Sequence, residues 1–272
     1  MEPIKFQGRC WLQNITWMEV MDYLKEHDSI LFPLGQTEEH GGHLPMGTDT
    51  YAAMGIAESV AEATGILIAP PLWYGWAPRM LSFPGSVTLS STTLTGIVAD
   101  VCNSFVTHGF KRIYIINGHR RENLPPVQLA ATQVRYNTGA LVAVLDPLYL
   151  GVDTVLRLRD GNSNILSHAA GIETAHMRYL LPGLVHEENI DDTPIEQCLN
   201  RDDFDYADRP YLYDTPEEFR EIRGETGVRG DVSWGTSERG GVYQQAIVDS
   251  IVSYISKTKE KAITLKKPAP IV

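Results

Sequence analysis

Apolar runs and stretches of helical period alternate along the chain, joined by short polar connections. Residues 29–35 (SILFPLG) form a short apolar run that stops abruptly where polar residues begin, and they predict a buried strand. Residues 50–63 (TYAAMGIAESVAEA) read as an amphipathic helix with Gly65 as its stop signal. A further apolar run, 66–73, is broken by Pro70 and Pro71. Residues 90–108 carry helical period, with Ser90, Ser91, Thr92 and Thr93 as candidate caps and Gly109 closing. RIYIING (112–118) predicts a buried strand, 124–136 a helix, 140–148 another strand, and 242–256 a helix after the Gly-rich GVRGDVSWGTSERGG (227–241). This alternation predicts an α/β fold, a mostly parallel sheet with helices on both faces. It contains no internal repeat. We expect one domain over 1–272, interrupted at about 186–226 by an acidic excursion carrying Phe204, Tyr206, Tyr211, Tyr213 and Phe219. That excursion reads as irregular and solvated, or as a subunit-contact arm or cover over the site.

Composition narrows the function. Of 272 residues, 23 are Lys or Arg and 34 are Asp or Glu, a formal charge of −11. That balance argues against nucleic acid and anionic membrane as partners, because both demand basic surface. No apolar run is long enough to span a bilayer, and the first residues lack a signal-peptide h-region. Cys10, Cys102 and Cys198 are widely spaced and odd in number, which fits a reducing, cytoplasmic setting.

The chemistry concentrates in LGQTEEHGGHLPMGTD, residues 34–49. Glu38 and His40, two apart, project from the same face of extended chain. Gly41 and Gly42 permit a sharp turn that can return Asp49 to the pair, an N/O donor set suited to Zn²⁺ or Mn²⁺. The direction of His43 stays open. His119 also follows a buried strand; alone it would read as a capping or core histidine, but two histidines at equivalent strand ends, one beside paired acids, favour a site. In SHAAGIET (167–174), Glu173 enters a helix running to Leu181. It is either a first-turn acid complementing the helix dipole or a further ligand or base, with His168 as a proton shuttle. P-loop, dinucleotide and nucleophile-elbow signatures are absent from the sequence, so this cluster has to work through a metal.

In order along the chain, these motifs resemble the creatininase (creatinine amidohydrolase) family. LGQTEEHGGHLPMGTD resembles its G-x-x-E-Q-H-G-x-H-L-P-x-x-T-D block, FPGSVTLS (83–90) its FPGT-x-[ST]-L, NGH (117–119) the start of NGHGGN, HAAGIET (168–174) its HAGExET, and 227–241 its Gly-rich closing motif. The resemblance implies a three-layer α/β/α fold, a dinuclear Zn or Mn centre (Fe is a further option), a homo-oligomer that is commonly hexameric, and hydrolysis of a C–N bond. It carries metal ligation to Glu38, His40, Asp49 as the bridge, and His119. It makes Glu173 a ligand or catalytic acid and His168 the shuttle to the leaving group. After NGH the chain departs, reading Arg120-Arg121-Glu122-Asn123 where most members have Gly-Gly-Asn and creatininase itself has Tyr-Glu-Asn. Either the loop bulges so that Glu122 serves, or Glu173 takes that role and the arginines face substrate. Arg120 and Arg121 would suit an anionic or oxygen-rich substrate, or form surface salt bridges. Trp73, Tyr74, Trp76, Pro78, Arg79 and Met80 make a bulky rim, with Trp76 and Arg79 as candidate substrate contacts or simply core.

The leading expectation is a metal-dependent hydrolase in which metal-bound hydroxide attacks a carbonyl of a small cyclic amide. An alternative keeps this machinery and opens a C–C bond of a cyclic 1,3-diketone such as a dehydro-inosose. A third, an inactive metal-binding scaffold, would predict a lost ligand, whereas every ligand position carries an apt residue.

Overall fold

The structure, a computed structural model, describes residues 8–158, 168–190, 215–224, 226–228 and 230–266. Four strands, β1 (Ser29–Leu34), β2 (Leu67–Ile68), β3 (Arg112–Asn117) and β4 (Leu141–Leu145), form an all-parallel sheet in the order β2-β1-β3-β4. The α-helices among the described residues are α1 (Trp17–Tyr23), α2 (Thr48–Thr64), α3 (Ser91–His108), α4 (Leu124–Thr138), α5 (Pro147–Leu150), α6 (Val152–Leu158), α7 (Gly171–Leu180), α8 (Pro216–Arg223) and α9 (Ser237–Lys259). None is long and apolar enough to cross a membrane.

The strand pleat sorts the core into two layers. Ile30, Phe32, Leu34, Ile113 and Ile115 point one way, onto Leu94, Val98 and Cys102 of α3 and Val127, Ala130 and Val134 of α4. The intervening Leu31, Tyr114 and Ile116 point the other way, onto Ala53, Ile56, Ala57 and Val60 of α2, Ile172 of α7, and Ile247, Ile251 and Ile255 of α9. The result is a three-layer α/β/α fold. Leu34 pairs with Asn117, so β1 and β3 end level and release their following loops at the same edge.

Several boundaries moved for local reasons. The run 66–73 yields only the two-residue β2, since Pro70 and Pro71 offer no N–H to continue a ladder. The strand expected over 140–148 stops at Leu145, where the Asp146 side chain accepts from Tyr149 N–H at 3.3 Å and Pro147 opens α5. The last helix begins at Ser237, five residues before the expected start, capped by Thr236. Gly240 reads as loop in the sequence, yet it lies inside α9 because α7 passes so close: a Cβ there would stand 2.0 Å from the Ala175 carbonyl oxygen. Within the expected irregular excursion, Pro216–Arg223 is helical, with a capping box between Thr215 and Glu218. Its residues 191–214, with Phe204, Tyr206, Tyr211, Tyr213 and Cys198, lie outside the described residues.

Behind the sheet, a polar plug joins three helices. The buried His176 of α7 donates Nε2–H to Gln244 Oε1 at 2.6 Å, and Gln244 in turn donates to the Gly55 carbonyl of α2 at 2.9 Å. Burial holds the His176 pKa down at about 4 against the pull of Gln244. The unfolded chain therefore binds this proton first, and stability falls as pH drops from about 6.5 towards about 4, then levels. His176→Gln keeps a donor and removes the titration. Its unfolding free energy is expected to lose on the order of 2–3 kcal/mol less than the parent over that window, checked by urea titrations at pH 7 and pH 4.5. Parallel acid limbs would contradict it.

Candidate metal centre

Two close backbone approaches set the geometry. Beyond β1, Gly35 lies against the first turn of α2, where a Cβ would meet Thr50 N at 2.4 Å. Beyond β3, Gly118 lies against the same turn, where a Cβ would stand 2.0 Å from the Asp49 carbonyl oxygen. The N-terminus of α2 is thus seated on both strand ends, and Asp49 enters between the two loops. Asp49 Oδ1 is 3.1 Å from His40 Nε2, and its Oδ2 is 3.0 Å from His119 Nδ1. Glu38 Oε1 stands 3.2 Å from the same His119 nitrogen, and Glu173 Oε2 3.9 Å from His40 Nε2. Glu38, Asp49 and His119 make one set of donor atoms within 4.8 Å of one another, and His40, Asp49 and Glu173 make a second that shares Asp49. Ligands around a tetrahedral ion at ~2.1 Å lie ~3.4 Å apart. The observed separations match that spacing.

The charge balance also calls for a cation. Glu38 is buried, and neither of its oxygens receives a hydrogen bond of good geometry among the described residues. Burial raises its pKa against the pull of His119. Burial disfavours charge on His40 too, but Asp49 outweighs it and lifts the imidazole to about 10. His119 is likewise driven well upward, overcoming its burial through Glu38 and Asp49. Despite its own burial, Asp49 is held far below the usual carboxylate range by the two histidines. A divalent ion would supply the positive charge that these acids need.

His168 reaches the cluster from the loop before α7. Its Nε2 lies 2.7 Å from the Glu39 carbonyl oxygen, an atom that only accepts, so Nε2 carries the proton. Its Nδ1 faces Glu38 Oε1 at 3.7 Å. Glu39 Oε1 is 3.0 Å from the same Nε2; burial opposes its charge, yet His168 holds its pKa near 2. The next residue, Ala169, has φ +54°, a left-handed conformation that costs a residue with a side chain roughly 1–3 kcal/mol. Ala169 N–H donates to Glu173 Oε2 at 2.6 Å, tying the strained turn to the cluster.

The remaining candidates lie further back. Glu122 is fully buried behind His119, 2.8 Å from its Nε2, and Arg79 Nε stands 2.5 Å from the other Glu122 oxygen. Arg79 is itself buried, so the structure sets it behind the cluster and not at a solvent-facing rim. Arg120 pairs with Asp146 at 2.6 Å, while the charge of the partly buried Arg121 favours ionised Glu122. Trp76 packs on the α3 and α4 side of the core. His43 turns to Thr174 Oγ1 at 2.9 Å, away from Asp49. One role was not foreseen. Gln36 and Asn123 staple the loops together, Gln36 Oε1 accepting from Gly75 N–H at 2.6 Å and Asn123 Nδ2 donating to the Gly35 carbonyl at 3.0 Å. Phe219 of α8 packs beside Phe83, Arg79 and His168.

Residues 13–255 match the model of the creatininase family, described as creatinine amidohydrolase. The chain belongs to the creatininase family. It is 28% identical over 200 residues to the 3-dehydro-scyllo-inosose hydrolase of Thermotoga maritima, covering 72% of this chain and 64% of that protein. To the creatinine amidohydrolase of Pseudomonas putida it is 30% identical over 208 residues, covering 66% of this chain and 75% of that enzyme. A creatininase crystal structure superimposes with a TM-score of 0.80 at 24% identity, over 96% of this chain and 100% of the other, and shows the shared fold. Solved creatininases include a manganese form and one of Zn-Zn type.

In this creatininase-family chain, Gly118→Ala would push the start of α2 off the strand ends. Overpacking of this kind is expected to cost about 2–3 kcal/mol and to weaken Zn²⁺ binding, read by thermal unfolding and a chelator-competition titration. Gly96→Ala, with nothing near the new methyl, is the matched control and should lose neither.

Proposed function

We propose that this chain is a metal-dependent hydrolase that opens a small cyclic amide at its carbonyl. The observation that carries the proposal is the Asp49 carboxylate, with one oxygen on each of two imidazoles and a further acid beside each imidazole. Glu38, Asp49 and His119 would hold one divalent ion and His40, Asp49 and Glu173 another, Zn²⁺ or Mn²⁺ by donor type. Buried acid oxygens lacking good hydrogen bonds fit that occupancy. When bound, the ions supply an activated water and polarise the substrate carbonyl. His168, with Nε2–H committed to Glu39, is left to carry a proton at Nδ1 to the departing nitrogen. Phe219 stands edge-on to that ring and is backed by Phe83. We read the full chain as one catalytic unit, a cytoplasmic homo-oligomer of hexameric family type acting on a small molecule.

A second reading keeps these residues and transfers the proton to carbon, cleaving a cyclic 1,3-diketone; the likeness to the inosose hydrolase favours it. Incubation with creatinine, other cyclic amides and cyclic diketones, followed by NMR, separates the two. Opening of amides alone supports the first reading and consumption of diketones alone the second. Chelation is expected to abolish turnover, and Zn²⁺ or Mn²⁺ to restore it. Asp49→Ala should lose both bound metal and activity; a variant that keeps full turnover would sink the proposal. His168→Ala should keep both ions and lose turnover about a hundredfold or more.

A further inference from the structure

Behind the first ion set runs a second, drier layer of charge. Glu122 has no exposure, and its two oxygens face different partners: Oε2 lies 2.8 Å from His119 Nε2, and Oε1 lies 2.5 Å from Arg79 Nε. Arg79 is buried as well, and its guanidinium carbon sits 5.0 Å from the ring centre of the fully buried Phe219. The opposite nitrogen of the same imidazole, His119 Nδ1, faces Asp49 and Glu38 at 3.0 and 3.2 Å. One ring thus has a carboxylate behind it and two donors in front.

The geometry points to Glu122 as a positioning residue: paired with Arg79, it sets a carboxylate 2.8 Å behind His119 Nε2, which favours the proton on that nitrogen and leaves Nδ1 to face the Glu38–Asp49 ion position. The inference rests on the proposed dinuclear reading of the site. Three features support it. A carboxylate behind a ligating imidazole fixes tautomer and ring orientation and raises ligand basicity. Arg79 offers Glu122 a planar donor group, which prevents the carboxylate from turning towards the ions. Among the described residues no carboxylate stands behind His40, whose Nδ1 lies 3.3 Å from the Glu38 carbonyl oxygen, a neutral acceptor. The two ion positions are therefore unequal: the one on His119 has a charged support and the one on His40 does not.

The inequality gives the test a signature that general damage would not produce. Purified full-length protein, stripped of metal, is titrated with Zn²⁺ against a chelating dye, and with Co²⁺ to follow the ligand-field bands of each position. In Glu122→Ala the affinity of one ion should fall about tenfold to a hundredfold, while the other stays within about threefold. Glu122→Gln, which preserves shape and an acceptor oxygen, should recover most of that loss, and Arg79→Met is the readout of weakening should the alanine variant not fold. Arg79→Met should weaken the same ion and not the other. Equal weakening of both ions, or no change beyond threefold in either, would overturn the role of Glu122 while leaving the dinuclear centre intact. A parent chain that binds no divalent ion would overturn both readings.

Discussion

Everything at the centre depends on a helix N-terminus pressed against two strand ends. The first turn of α2 touches the backbone at Gly35 and at Gly118, so closely that neither position leaves room for a methyl group. That contact puts Asp49 where the helix dipole favours a negative charge, and where its two oxygens reach imidazoles from two different loops. A shift of about an ångström would part Asp49 from one or the other. The parallel sheet matters to function in this direct sense: its register levels Leu34 with Asn117, and the loops it releases have a common floor.

The second constraint is electrostatic. Glu38, Asp49 and Glu122 are buried close together, with Glu39 beside them and Glu173 at the more open edge. Burying acids is costly unless positive charge comes with them. The protein supplies part of it through Arg79 and through the imidazoles of His40 and His119. The two donor sets that share Asp49 face inward, and the buried acid oxygens among them would favour divalent ions.

The sheet and its flanking helices were legible because their residues alternate or repeat in the simplest ways, and because Gly65 and Gly109 mark helix ends as left-handed caps. Glu38, His40 and Asp49 were legible because one short segment, residues 34–49, carries all three. His119 was readable from its place after a strand. His168 and Glu173 needed more, since their approach depends on a turn at Ala169 whose φ no side-chain pattern encodes. Gly240 misled, because a glycine needed for tight helix packing looks the same in sequence as one needed for a loop. The partner of Arg120, Asp146, ends a strand that is not adjacent in the chain, so its ion pair had no local signal. Family membership is secured by residues 13–255 as a whole and not by any of these contacts.

The sequence left open which acid completes the second donor set, Glu122 or Glu173. Packing around Arg79 argues for Glu173. Turning Glu122 inward would break a buried ion pair, a change that costs about 3–5 kcal/mol, and would take the carboxylate away from His119 Nε2. Glu173 pays no such penalty: its carboxylate is part-exposed, its Oε2 is already fixed by the Ala169 N–H, and it stands across from His40. The two arginines after NGH fit this division. The loop that carries them sets Glu122 behind His119, and the first turn of α7 brings Glu173 across from His40.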